Sequence, residues 1–154
     1  MKAKDKMQIF LGGPDTGKTW RAKYLTLGKN TVWITGVELR SILNDPFLLR
    51  NVNENTQYIV FDDVRSGINN LGRMFYSDKL LVHKPYEKSI IIPRPKIIII
   101  ADCNAKIFPT DAAFNARFRI IDFNTPKIAA LLAKMKEKCT CDYCMKHKPK
   151  SQKS

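Results

Sequence analysis

Acidic residues are scarce in this chain. Fourteen Asp and Glu stand against 27 Lys and Arg, a formal net charge of +13 over 154 residues. A charge of that size repels itself unless a polyanion is near, which makes nucleic acid the default partner and an anionic membrane surface the lesser one. The bland reading is a solubilising surface. Long apolar runs are lacking as well: Ile97–Ala101 has a strand's length, far short of the ~20 residues that cross a bilayer, so no membrane span is expected. The opening Met1–Lys6 leads into too few apolar residues for the core of a signal peptide. Cysteine is sparse, four in all with three crowded near the C-terminus, which does not read as a secreted disulfide framework and points to a reducing, intracellular compartment.

What remains is a globular composition, 44% hydrophobic, in one domain's worth of chain with no internal repeat and no long linker. Residues 7–11, Thr31–Thr35, Tyr58–Phe61, Lys96–Ala101 and Ile120–Phe123 read as strands. Helices are expected over Lys18–Leu27, Val37–Leu49 with a break at Asp45-Pro46, and Asn69–Tyr76. A further helix, Lys127–Lys136, starts with Thr125 as N-cap and Pro126 in first position. Leu80–Val82 and Ser89–Ile92 form the arms of a hairpin with Lys84–Lys88 at its tip. Apolar strands alternating with helices predict an α/β fold, a mainly parallel sheet covered on both faces. The core is expected over 1–126, with 127–154 as a C-terminal helix and basic, Cys-rich tail.

Behind the first strand stands Gly12-Gly13-Pro14-Asp15-Thr16-Gly17-Lys18-Thr19, a gapless match to G-x-x-x-x-G-K-[ST]. The glycines allow a tight loop whose N–H groups converge on phosphate oxygens, and the next helix adds its positive end. Lys18 would reach the β- and γ-phosphates of ATP, and the Thr19 hydroxyl would ligate Mg²⁺. Further on, "YIVFDD" puts Asp62 and Asp63 at the end of a buried strand, where open α/β sheets bind ligands. Asp62 would hold Mg²⁺ through water and Asp63 would polarise the attacking water. As a plain structural pair, the two acids would cap the next helix.

With these residues on the page, "GPDTGKT" and "FDDV" resemble the superfamily 3 helicases of small DNA viruses, within the AAA+-like P-loop NTPases. The resemblance covers about residues 7–124. It implies that Asn104, ending "KIIIIADCN", senses the γ-phosphate. It implies that Arg117 in "AFNARFRIIDF" is an arginine finger acting on a neighbouring subunit, with Arg119 as fallback on the same face of a strand. It further implies a hairpin before the sensor strand that grips single-stranded DNA, or RNA, through His83, Lys84, Tyr86 and Lys88. Cations tracking the backbone beside an aromatic platform are what sequence-tolerant binding requires, although the same residues also suit a solvated turn. The implied assembly is a ring, in the family a hexamer, working in replication in the cytoplasm or a host cell nucleus. His83 and His147 cannot form a His-hydrophobe-His nuclease motif, so a separate initiator protein is an expected partner.

In the tail, Cys139, Cys141, Cys144 and His147 lie within nine residues and can complete a tetrahedral Zn²⁺ site, or stay as reduced thiols among lysines. Two other functions fit the phosphate loop. One is an ATP-switched DNA-binding loader, accessory or packaging ATPase without unwinding activity. The other is a small-molecule P-loop kinase, for which the charge is excessive.

Overall fold

The computed structural model describes residues 6–35, 47–64, 68–102 and 111–138. Among the described residues, β1 (Met7–Gly12), β2 (Thr31–Ile34), β3 (Tyr58–Val64), β6 (Lys96–Asp102) and β7 (Phe118–Asp122) form one parallel sheet in the order β2-β3-β6-β1-β7. Among the described residues there are four helices: α1 (Lys18–Leu25), α2 (Ile68–Arg73), α3 (Ala112–Arg117) and, after the last strand, α4 (Pro126–Lys138). Outside the sheet, β4 (Lys79–Val82) and β5 (Ile90–Pro93) pair antiparallel, with Leu81 opposite Ile91.

The apolar runs are strands with two buried faces, and successive residues point to opposite sides. Ile9, Ile59, Phe61, Ile97 and Ile99 face a core shared with Leu71, Phe75, Phe114 and the inner face of the β4–β5 ribbon, Leu80, Val82 and Ile92. Phe10, Val60, Ile98 and Ile100 face a second core closed by Trp20, Ala22, Phe123 and Leu132. Helix α4 is therefore packed on the sheet, and Thr125 starts it as the sequence indicates: its hydroxyl accepts from the Ile128 N–H at 3.4 Å and donates to the Asp122 carbonyl at 3.1 Å.

Several boundaries differ from the sequence reading. Helix α1 stops at Leu25, where the Thr26 hydroxyl bonds back to the Ala22 carbonyl at 2.9 Å. Helix α2 stops at Arg73, and Met74–Tyr76 continue only as tight turns with i→i−3 bonds. Phe47–Arg50 is a turn and not the end of a helix; residues 37–46, the rest of that expected helix, lie outside the described residues. Helix α3 was not expected. Asp111 nucleates it by accepting from the Phe114 N–H at 2.7 Å. Because Arg117 ends this helix and Arg119 lies in β7, the two do not share a strand face as the sequence reading had it.

Candidate nucleotide site and the opposite edge of the sheet

Order in the sheet decides what meets at its C-terminal edge. The chain leaves β1 for β2, returns through β3 and β6, and places β7 on the far side, so β1 borders the point where the winding reverses. That is where open α/β sheets place ligands. The loop after β1 bends through two left-handed residues, Asp15 at φ 58° and Gly17 at φ 89°. Gly17 also precedes the first turn of α1, which contains no acid. Alternating hands turn successive N–H groups inward, an arrangement suited to anions. Space is equally tight: a Cβ on Gly12 would lie 2.9 Å from Thr16 Oγ1, and Thr16 itself donates to the Gly13 carbonyl at 2.9 Å.

Lys18 is folded into this loop. Its ammonium donates to the carbonyls of Gly12 and Gly13, the latter at 2.8 Å. Two carbonyl oxygens thus satisfy the ammonium where phosphate oxygens would. Asn124 adds a contact that no motif announces: its side-chain oxygen accepts from the Gly13 N–H at 3.1 Å across 111 residues of sequence. Leu132 of α4 reaches within 3.0 Å of a Cβ built on Gly17, so α4 forms a wall of the loop.

The acid pair lies two strands away. Strand β3 does not end at Phe61 but continues to Val64, with a register shift against β6 between Phe61 and Val64. Asp62 and Asp63 occupy that bulge, Asp62 half-buried and Asp63 exposed at φ 57°. Bulges re-aim side chains and cluster beside active sites. Phe61 is level with Ile99, which is level with Ile9, and Val64 is level with Ala101 and Leu11. The carboxylates therefore sit just below the phosphate loop, about 10 Å away laterally at two strand spacings. Thr19, Lys18 and a bulge carboxylate suit a magnesium nucleotide held between them. Asn104 follows β6, the strand between these two, but lies outside the described residues, as do Cys139, Cys141, Cys144 and His147. Among the described residues no group of three or more His, Cys, Asp or Glu gathers as a metal site.

Arg117 stands at the other edge. It directly precedes Phe118, which pairs with Met7 at the start of β1, whereas the phosphate loop leaves β1 at Gly12. Five residue steps at ~3.3 Å each separate the two levels by ~16 Å, well beyond one side chain. Its guanidinium donates to the Tyr76 carbonyl at 3.0 Å and the Ala113 carbonyl at 2.9 Å, and lies 4.9 Å from the centre of the Tyr76 ring.

The residues between β4 and β5 divide into two sets. His83 bonds Ser89 at 2.9 Å, and Lys84 donates to the Arg50 carbonyl at 3.3 Å. Tyr86 is fully exposed, at φ 61°, and Lys88 is exposed beside it. A bulky residue in the left-handed region costs ~1–3 kcal/mol and tends to persist where a site uses it.

No protein-family model and no curated protein matches the chain. Solved structures do. The A-form apo structure of the NrS-1 C-terminal region matches with a TM-score of 0.55 at 19% identity, over 84% of this chain and 34% of that one. A JCV helicase with a bound small molecule matches with a TM-score of 0.50 at 20% identity, over 86% of this chain and 41% of that one. The likeness is one of fold. This chain spans well under half the length of either neighbour. Among the described residues no helix is long and apolar enough to cross a membrane.

Proposed function

We propose that the protein is a Mg²⁺-dependent ATPase of superfamily 3 helicase type that acts on single-stranded nucleic acid as a ring of copies. The observation that carries this reading is the placement of Lys18 and Arg117 at opposite edges of the β1–β7 pair. One subunit cannot bring both to one γ-phosphate, and a ring of like-oriented copies can. The shared fold with a JCV helicase supports the same reading.

In this reading Lys18 leaves the loop carbonyls for the β- and γ-phosphate oxygens, and the loop N–H groups orient the triphosphate. Thr19 and, through water, Asp62 would hold Mg²⁺, which would neutralise charge on the phosphates. Asp63 orients the water, Asn104 senses the γ-phosphate, and Arg117 from the next copy meets the charge that develops there. Tyr86 and Lys88 engage the strand, by stacking and by charge, while His83 and Lys84 brace the turn.

The test is the ATPase rate per subunit against protein concentration, with and without single-stranded DNA. A rate that rises with both supports the assembly; a rate indifferent to both overturns it. A forked-duplex assay separates unwinding from an ATP-timed grip, because a loader hydrolyses ATP and leaves the fork paired.

A further inference from the structure

Two guanidinium groups hold three consecutive carbonyls at the base of the β4–β5 ribbon. Arg94, the residue after β5, donates to the Phe75 carbonyl at 2.7 Å and the Ser77 carbonyl at 3.0 Å. Arg117 takes the carbonyl between them, that of Tyr76, and lies over the same residue's ring. The Arg94 N–H also donates to the Asp78 carbonyl at 2.8 Å, so residues 75–78 are tied to the end of β5. Both chain entries to the ribbon, Ser77-Asp78 and Arg94, are thus joined directly to each other, next to the Tyr76 that Arg117 holds.

This arrangement is costly. Tyr76 Oη and Arg94 Nε are buried without a hydrogen-bond partner among the described residues. Burial pushes the Arg94 guanidinium below its usual value, Asp78 acts the other way, and the like charge of Arg117 adds to the lowering. Orphaned polar atoms and facing like charges mark a joint maintained at the expense of stability.

We infer that this joint positions Arg117: the Tyr76 ring fixes the plane of its guanidinium, and Arg94 locks the backbone that carries Tyr76. The inference rests on the proposed role of Arg117 as a finger. Its consequence is mechanical. A strand that pulls on Tyr86 and Lys88 pulls on residues 75–78, and so on the group that completes the neighbouring copy's ATP site. Tyr76 and Arg94 are positioning residues, since neither touches nucleotide. Holding a planar cation against an aromatic face limits its rotation and favours one orientation.

The experiment compares the full chain with Arg117→Ala, Tyr76→Ala, Tyr76→Phe and Arg94→Met. Readouts are kcat and KM for ATP with and without oligodeoxythymidylate, oligonucleotide Kd, and thermal melting. Expected for Tyr76→Ala is a kcat at least about tenfold lower with KM and oligonucleotide Kd unchanged, and stimulation by the oligonucleotide falling towards none. Tyr76→Phe keeps the ring and restores both kcat and stimulation, with melting equal or higher because the orphaned hydroxyl is gone. Arg94→Met repeats the Tyr76→Ala pattern, which covers the case of Tyr76→Ala failing to fold. If Arg117→Ala is slow while Tyr76→Ala and Arg94→Met respond like wild type, the positioning inference is overturned and the finger stands. A Tyr76→Phe protein as impaired as Tyr76→Ala also overturns it. If Arg117→Ala itself matches wild type, the finger reading fails and the inference falls with it.

Discussion

At the C-terminal edge of the sheet the chain bends through left-handed residues, Asp15, Gly17 and Asp63, whereas at the N-terminal edge Arg94 and Arg117 bind the backbone with guanidinium groups on carbonyls. The first edge brings converging N–H groups and a pair of carboxylates to one side of the sheet, an arrangement suited to a ligand. The second anchors a cation to its own subunit and aims it away from that ligand. In the proposed function each edge carries one half of an ATP site, and the difference between the edges says which half each copy would contribute.

Substitutions at the two edges should separate in kind. Arg117→Ala should have the largest effect, lowering kcat by about 10³–10⁵ with ATP affinity retained, as fingers acting in trans do. Steady-state kinetics beside equilibrium binding of an ATP analogue checks it; equal losses in binding and turnover would move Arg117 out of the reaction. Asp63→Asn should come next, with kcat down about 10²–10⁴ and affinity kept, the scale of losing a group that handles the water's proton. If Asp62→Asn and not Asp63→Asn gives that pattern, the two roles in the bulge are exchanged.

The strands and the phosphate loop were legible because their signals are local. The unbroken apolar run in "KIIIIAD" and the glycine spacing in "GGPDTGKT" need no distant partner. Helix α3 is only six residues long, too short for a periodic pattern, and its one clear mark is Asp111. The bulge at Asp62-Asp63 is not legible in the sequence because Val64, 1% exposed, continues the strand beyond two polar residues. Asn124 against Gly13, and Arg94 with Arg117 around Tyr76, are contacts between distant segments that no spacing announces.

Stability gives the next comparison. Leu132→Ala should cost ~2–5 kcal/mol by opening a cavity between α4, Trp20 and Phe10. Because Leu132 also walls Gly17, nucleotide should recover part of that loss in melting experiments. Unchanged melting would mean that α4 is not held on the sheet. The smallest effect belongs to the exposed tip. Tyr86→Gly should weaken oligonucleotide binding by ~1–3 kcal/mol, about 5- to 150-fold in Kd, at no cost in melting because glycine accepts the φ of 61°. Unchanged Kd by fluorescence anisotropy would make Tyr86 a turn residue only.

Mixing Lys18→Ala with Arg117→Ala tests the division between the edges most directly. Each variant alone lacks one half of every ATP site and should be nearly inactive. In mixed assemblies an intact Lys18 on one copy meets an intact Arg117 on the next, so ATPase activity should return with a maximum near equal proportions. A mixture that stays as inactive as its components, although the two variants co-assemble, would contradict an ATP site shared between copies.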